Sequence, residues 1–161
     1  MTNADALSDI DTLMCFQVYA LHHAFGRFYQ EAFGDSGFTY PKFVALTVLD
    51  KEGPLSLGEL AGRVGVEPNS LSPLLKKMSA AGLIARARDP EDERRMVLSV
   101  LPFGKEVLAR ARDIVAEGWQ ALGLSDADTS RTIEALSAVR SKLEKTSPPR
   151  SLSLDDLSNG D

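Results

Sequence analysis

The chain's single sulfur nucleophile is Cys15, and no second cysteine exists to pair with it. An intramolecular disulfide is therefore excluded, and a cysteine-based metal site would need histidines or carboxylates to complete it. Two readings remain. Most lone cysteines are small buried apolar side chains. The other reading is a reactive thiol, whose thiolate can be oxidised to a sulfenic acid. Without a resolving cysteine, that product passes to a small cellular thiol or to the irreversible sulfinic state. Tyr19 lies four residues after Cys15, one helical turn along the same face, where a phenol can approach the sulfur. Tyr29 lies about 21 Å further along a continuous helix and cannot touch the thiol of its own chain. The side chains of adjacent His22 and His23 diverge by about 100° on a helix, so they cannot chelate one ion together. They read as interface or solvent residues, and neither metal nor cofactor is expected.

A second set of residues has chemistry suited to a polyanion. Asn69, Ser70, Ser72 and Pro73 precede Lys76 and Lys77, and Arg86, Arg94 and Arg95 follow. Small polar side chains can reach base edges, asparagine pairing with adenine and serine with either partner type, while lysines suit phosphates. The net charge of −5 argues, taken alone, against a nucleic-acid binder. Its distribution argues otherwise: from Leu55 to Leu101 seven Lys or Arg face six acids, a balance of +1, and the rest of the chain carries the remaining −6. An acidic body with a locally basic middle fits reversible DNA binding through a small surface.

The elements that must hold these residues are legible from caps and periodicity. Ser8 is expected to cap a long first helix to about Phe33, with Ile10, Leu13, Met14, Val18, Leu21, Phe25 and Phe28 at helical spacing. Thr39 caps a second helix, with Pro41 in its first turn, to about Lys51, where Gly53-Pro54 closes it. Ser56 caps a short helix ending at Gly65, and Asn69 or Ser70 caps another ending at Gly82, with Pro73 expected in its first turn. Leu83–Arg88 and Arg95–Val100 are β-prone and are joined by a charged turn, the form of a wing. Pro102 restarts helix to about Leu122, and a last helix runs from Ser125 to about Leu143. The fold class is thus mainly α with a small β-wing: a winged helix-turn-helix flanked by N- and C-terminal dimerisation helices. The expected divisions are a dimerisation and sensing helix (1–38), the DNA-binding region (39–101), C-terminal dimerisation helices (102–146) and a disordered tail (147–161). Both ends are more apolar than a small winged domain needs, and a symmetric dimer is the simplest partner for them.

The stretch Leu55–Val100, LSLGELAGRVGVEPNSLSPLLKKMSAAGLIARARDPEDERRMVLSV, resembles the winged helix-turn-helix of the multiple antibiotic resistance regulators, the MarR family, including the Asp-x-Arg at Asp92-Glu93-Arg94. Met14-Cys15-Phe16-Gln17-Val18-Tyr19-Ala20, Tyr29 and Phe38-Thr39-Tyr40-Pro41 are similar to the organic hydroperoxide resistance regulators of that family, in their single-cysteine subgroup. Pro102 departs from the helix-capping threonine usual there, and Gly26 weakens the first helix by roughly 1 kcal/mol relative to alanine. The resemblance implies a cytoplasmic, homodimeric, non-enzymatic repressor that holds an inverted-repeat operator in double-stranded DNA and leaves it when an organic hydroperoxide oxidises Cys15. It assigns Tyr19, Tyr29 and Tyr40 to the thiol. If first helices cross antiparallel at the dimer axis, Tyr29 and Tyr40 of one chain can hydrogen-bond Cys15 of the other.

In a helix-turn-helix the second helix lies in the major groove with its N-terminal residues over the base edges, which here are Asn69, Ser70, Ser72 and Pro73, with Lys76 and Lys77 suited to phosphates; Arg86, Arg94 and Arg95 are the further DNA-binding candidates, with Asp92 expected to orient an arginine. An arginine arm of this kind reaches an adjacent minor groove. The resemblance implies that oxidised Cys15 is trapped by a low-molecular-weight thiol or over-oxidised. The main alternative is a repressor released by a small aromatic ligand, with Cys15 passive. A thiol peroxidase, or a winged domain that binds only protein, fits the residues less well. No run is apolar enough for a membrane span, and the start of the chain lacks a basic, apolar leader.

Overall fold

The computed structural model describes residues 9–89, 92 and 94–148. The expected cap at Ser8 and nearly all of the expected tail lie outside them. Two compact units are present, one ending at Gly118 and one beginning at Trp119.

In the first unit, α1 (Met14–Phe33) starts later than the cap at Ser8 predicts. A separate 3-10 turn, Ile10–Thr12, comes first, capped by Asp9, whose carboxylate accepts the Asp11 N–H at 3.1 Å. Leu13 is extended (φ −71°, ψ 113°), which interrupts the helical run and puts Cys15 in the first turn of α1. Next comes α2 (Tyr40–Glu52), with Thr39 as N-cap residue and Pro41 in its first turn. The Thr39 side chain makes no capping hydrogen bond.

A short strand not foreseen in the sequence, β1 (Leu55–Ser56), leads directly into α3 (Leu57–Val64). A reciprocal capping box fixes that start: Glu59 N–H donates to Ser56 Oγ at 3.3 Å, and Ser56 N–H donates to Glu59 Oε2 at 2.8 Å. At the end of α3, Gly65 adopts φ +79°, a left-handed conformation that glycine takes without steric cost.

The next helix, α4 (Pro68–Ala80), ends in a Schellman arrangement: Leu83 N–H donates to the Met78 carbonyl, and Gly82 N–H to that of Ser79, each at 3.0 Å. Then β2 (Ile84–Arg88) and β3 (Met96–Val100) pair antiparallel, with Ile84 opposite Val100 and Arg88 opposite Met96. β1 joins the other edge of β3, Leu55 opposite Leu98 and Ser56 opposite Val97, giving the order β1-β3-β2.

The core fills the angle between these helices and the sheet. Leu46, Leu60, Leu75, Met78, Ile84 and Leu108 are almost completely buried, the last from α5 (Pro102–Ala121), whose first residue is the proline that restarts helix. Gly104 of α5 lies against the Leu83 carbonyl, where a Cβ would collide with that oxygen. Gly118 similarly faces the Phe28 ring of α1.

In the second unit, α6 (Asp126–Leu143) is capped by Ser125, whose Oγ accepts the Asp128 N–H at 3.1 Å. No residue of α6 is buried, although Ile133, Leu136 and Leu143 are apolar.

Candidate nucleic-acid interface and thiol site

Recognition-helix candidates cluster at the start of α4, but not in the expected register. The helix begins at Pro68, because a proline fixes φ and has no N–H to leave unpaired in a first turn. Glu67, not Asn69 or Ser70, is therefore the N-cap residue, and it makes no side-chain capping bond. Asn69 and Ser70 become first-turn residues, exposed to solvent. Pro73 is accordingly inside the helix rather than in its first turn, and its missing N–H leaves the Asn69 carbonyl without its usual helical donor. Ser72 is half-buried, and Pro73, Lys76 and Lys77 are exposed. Leu71, Leu75 and Met78 take the opposite, buried face, so core packing orients the polar face outward.

The wing is held by main-chain bonds at its neck: Asp89 N–H donates to the Arg95 carbonyl at 2.8 Å, and Arg95 N–H to the Asp92 carbonyl at 2.9 Å. The contact Asp92 makes with an arginine is to the backbone, its Oδ1 accepting the Arg94 N–H at 3.0 Å. Among the described residues none pairs with the exposed Arg94 guanidinium, whereas the Arg95 guanidinium meets Asp89 at 3.2 Å and also pairs with Glu59 of α3. Arg86 is exposed on β2. Sequence reasoning missed Glu59, although the Ser56-Leu57-Gly58-Glu59 spacing signals a capping box. Ser56 N–H and its hydroxyl, and then Arg95, hold the Glu59 carboxyl down at about 2.

Around the thiol, the structure separates what the sequence grouped. Cys15 is exposed in the first turn of α1. Tyr19 is 61% exposed, and its ring meets that of His23 edge-on at 4.4 Å between centroids. Tyr29 is buried at the far end of α1 and stacks on Tyr40 of α2, centroids 4.3 Å apart and planes 28° apart. Phe25, Phe28, Phe33 and Phe43 surround Tyr29. Met14, Val18, Tyr19 and Leu21 leave the Cys15 end of the helix with an exposed apolar surface. Among the described residues no group of three or more His, Cys, Asp or Glu is placed to hold a metal ion, and no helix is long and apolar enough to cross a membrane.

Helix-turn-helix, antiparallel wing and flanking long helices define a winged-helix transcriptional regulator. Residues 38–96 match the model of the MarR family. The chain is 38% identical over 104 residues to the HTH-type transcriptional regulator TtmR of Methylorubrum extorquens, a match covering 65% of this chain and 53% of TtmR, about half the relative's length. It is 30% identical over 105 residues to the organic hydroperoxide resistance transcriptional regulator of Bacillus subtilis, covering 65% of this chain and 71% of that one. Among solved structures, reduced AbfR bound to DNA, a protein of Staphylococcus epidermidis, superposes with TM-score 0.67 at 23% identity over 81% of this chain and 91% of that one. BpsR of Bordetella bronchiseptica, whose DNA binding is regulated by 6-hydroxynicotinic acid, superposes with TM-score 0.72 at 19% identity over 80% and 93%. This chain belongs to the MarR family.

Proposed function

We propose that this chain is a homodimeric DNA-binding repressor that senses organic hydroperoxides through Cys15 and then releases its operator. One observation carries the sensing half. The only thiol stands exposed at the start of α1, while the stacked Tyr29–Tyr40 pair sits at the other end of that helix. The Tyr29 and Tyr40 phenols can meet the thiol only between two copies, and the exposed apolar surface around Cys15 is what an antiparallel crossing of two α1 helices would cover. The relation to the Bacillus subtilis regulator, named for organic hydroperoxide resistance, supports the same chemistry.

In the reaction, the Cys15 thiolate attacks the terminal peroxide oxygen. An S–O bond forms, the O–O bond breaks, and the alkoxide leaves as an alcohol after taking up a proton; sulfur is oxidised to sulfenic acid and the hydroperoxide is reduced. A low-molecular-weight thiol then condenses with the sulfenic acid, releasing water and leaving a mixed disulfide. That bulk overfills the interface by a strain of about 1–3 kcal/mol, which a rotation of the two winged units relieves. For DNA, α4 enters the major groove with Asn69, Ser70, Ser72 and Pro73 toward the bases and Lys76 and Lys77 toward phosphates, while Arg86 and the Arg94–Arg95 wing follow the duplex. Dimer symmetry implies half-sites about one helical turn apart.

The test is DNA binding to the protein's own upstream region, reduced and after cumene hydroperoxide with a small thiol. Release by the native chain and retention by Cys15→Ser is the expected result; equal release by both refutes the thiol as sensor. A second reading, release by a small aromatic ligand with Cys15 passive, is favoured by the aromatic cluster around Tyr29, whose neighbour Tyr40 keeps 38% of its surface exposed for stacking. Titration with hydroxylated aromatic acids under reductant separates the two.

A further inference from the structure

Arg95 is drawn to two carboxylates from different parts of the fold. β1 pairs with β3 so that Ser56 stands opposite Val97. Glu59, one capping turn beyond Ser56, and Arg95, just ahead of β3, therefore arrive side by side although 36 residues separate them. The Arg95 fork spans both partners, Nη1 to Asp89 Oδ2 at the end of β2 and Nη2 to Glu59 Oε2 on α3. The same residue closes the wing neck through its own main chain.

We propose that Glu59 and Arg95 form a strut that fixes the angle of the wing against the helix-turn-helix, so that Arg95 serves DNA binding by holding the arm while Arg94 reaches the duplex. The inference rests on the DNA-binding reading above. Three observations support it. The strut joins α3, which packs against α4, to the ribbon that carries Arg94, so it couples the two DNA-facing elements directly. Arg95 also neutralises two carboxylates that would otherwise repel phosphate near the interface. Finally, Glu59 is itself immobilised by Ser56, with N–H and hydroxyl donating at 2.8 and 2.7 Å, so it is a rigid anchor rather than a free side chain. A planar, two-armed guanidinium suits this task and a lysine does not.

Glu59→Gln separates the strut from the cap, because an amide oxygen can still accept from Ser56 while the charge facing Arg95 is gone. The experiment measures affinity for a labelled random-sequence duplex and for the protein's upstream region, across a salt series, for the native chain, Glu59→Gln, Arg95→Gln and the double variant. The strut predicts that each single variant weakens binding by about 3- to 10-fold, that the double variant is no weaker than the poorer single, and that the salt slope is unchanged in all of them. Arg95→Lys should recover only part of the loss. Should Arg95→Gln lower the salt slope by about 0.9 while Glu59→Gln leaves binding equal or tighter, Arg95 is a phosphate contact and the strut is overturned. Unchanged affinity in every variant overturns it as well. If the native chain itself binds neither duplex at low salt, the DNA-binding reading fails and takes the strut with it.

Discussion

Tyr29 stacks on Tyr40 across the α1–α2 junction with 4.3 Å between ring centroids, and this pair is held a helix length from the thiol that the phenols are proposed to serve. The separation makes the sensor testable by mixing subunits. Pairing a Cys15→Ser chain with a Tyr29→Phe/Tyr40→Phe chain leaves one thiol facing native phenols if the site is built across the dimer, and none if it is built within a chain. Since hydrogen bonds to charged groups are worth about 1.5–3 kcal/mol, loss of the phenols should slow sulfenic acid formation by roughly tenfold or more. The mixed dimer is expected to react at the native rate at its single thiol, measured by trapping with dimedone. A slow mixed dimer would place the phenols elsewhere.

Arg94 tests the wing from the other side. Its guanidinium is exposed while Asp92 fixes its backbone, so Arg94→Ala should cost about 1–3 kcal/mol of DNA affinity. A salt slope smaller by roughly 0.9 than the native value would identify a lost phosphate neighbour, and an unchanged slope a base-edge contact. Anisotropy titrations over a salt series give both readings, and full native affinity in the variant would remove the wing from the interface.

Much of this architecture is legible in the residues, and the failures have physical causes. Glycines at 65 and 82 end helices where a left-handed residue is needed, and the sequence marks both ends. Ser8 points to too early a start for α1 because an acidic, helix-like stretch follows it, and only the extended Leu13 reveals that Ile10–Thr12 is a separate turn. Pro73 looks like a first-turn residue only if Asn69 or Ser70 caps the helix, whereas Pro68 is the better helix starter and moves the first turn upstream. The pairing of Arg95 with Glu59 depends on the β1–β3 register, a long-range event that no local pattern encodes, although the capping box that anchors Glu59 is local. At the thiol, spacing alone established that Cys15 and Tyr29 cannot meet within one helix, whereas the Tyr29–Tyr40 stack required the α1–α2 turn to be seen.

Two glycines should differ sharply on conversion to alanine. At Gly104 the new methyl would meet the Leu83 backbone carbonyl, which also accepts the Leu101 N–H at 3.0 Å and cannot easily move. At Gly118 it would meet the distal edge of the Phe28 ring, a side chain able to rotate. Gly104→Ala is therefore expected to destabilise by about 1–3 kcal/mol, and Gly118→Ala by less. Urea denaturation of the two variants checks the order; equal losses would mean that the α5–sheet contact relaxes more readily than a backbone neighbour allows.

Acid should weaken the fold in a definite window. The carboxyls of Glu52, held down by the Arg63 hydrogen bond, of Glu59, held by Ser56 and Arg95, and of Asp128, held by Ser125 and Arg131, lie below their ordinary values. A depressed folded value means that the stabilisation is complete above the unfolded value, 4.5 for the two glutamates, and is lost as pH falls through the folded one, about 2 for Glu59. Denaturation curves between pH 6 and 2 should therefore show stability falling below about pH 4.5, with a shallower fall in Glu59→Gln. Identical pH profiles for the native chain and the variant would mean that the Glu59 interactions persist in the unfolded state.

The apolar stripe on α6 carries the last prediction. Ile133, Leu136 and Leu143 follow the three- and seven-residue spacing of one helical face, yet they are 58%, 40% and 67% exposed, and Leu122 and Leu124 before the helix are exposed as well. Burying a leucine or isoleucine side chain is worth about 1.5–3 kcal/mol, so these residues together can hold two copies of the chain in association. A glutamate placed in such a face must either be desolvated or keep the face open. Ile133→Glu with Leu136→Glu is thus expected to shift the protein to monomer in sedimentation equilibrium while leaving the fold of the winged unit intact by circular dichroism. Since a monomer engages one half-site instead of two, affinity for the upstream duplex should fall by more than about 100-fold, in line with the gain that linked binding confers. A native chain that sediments as a monomer, or a variant that remains dimeric, would overturn the assignment of this face to a second copy.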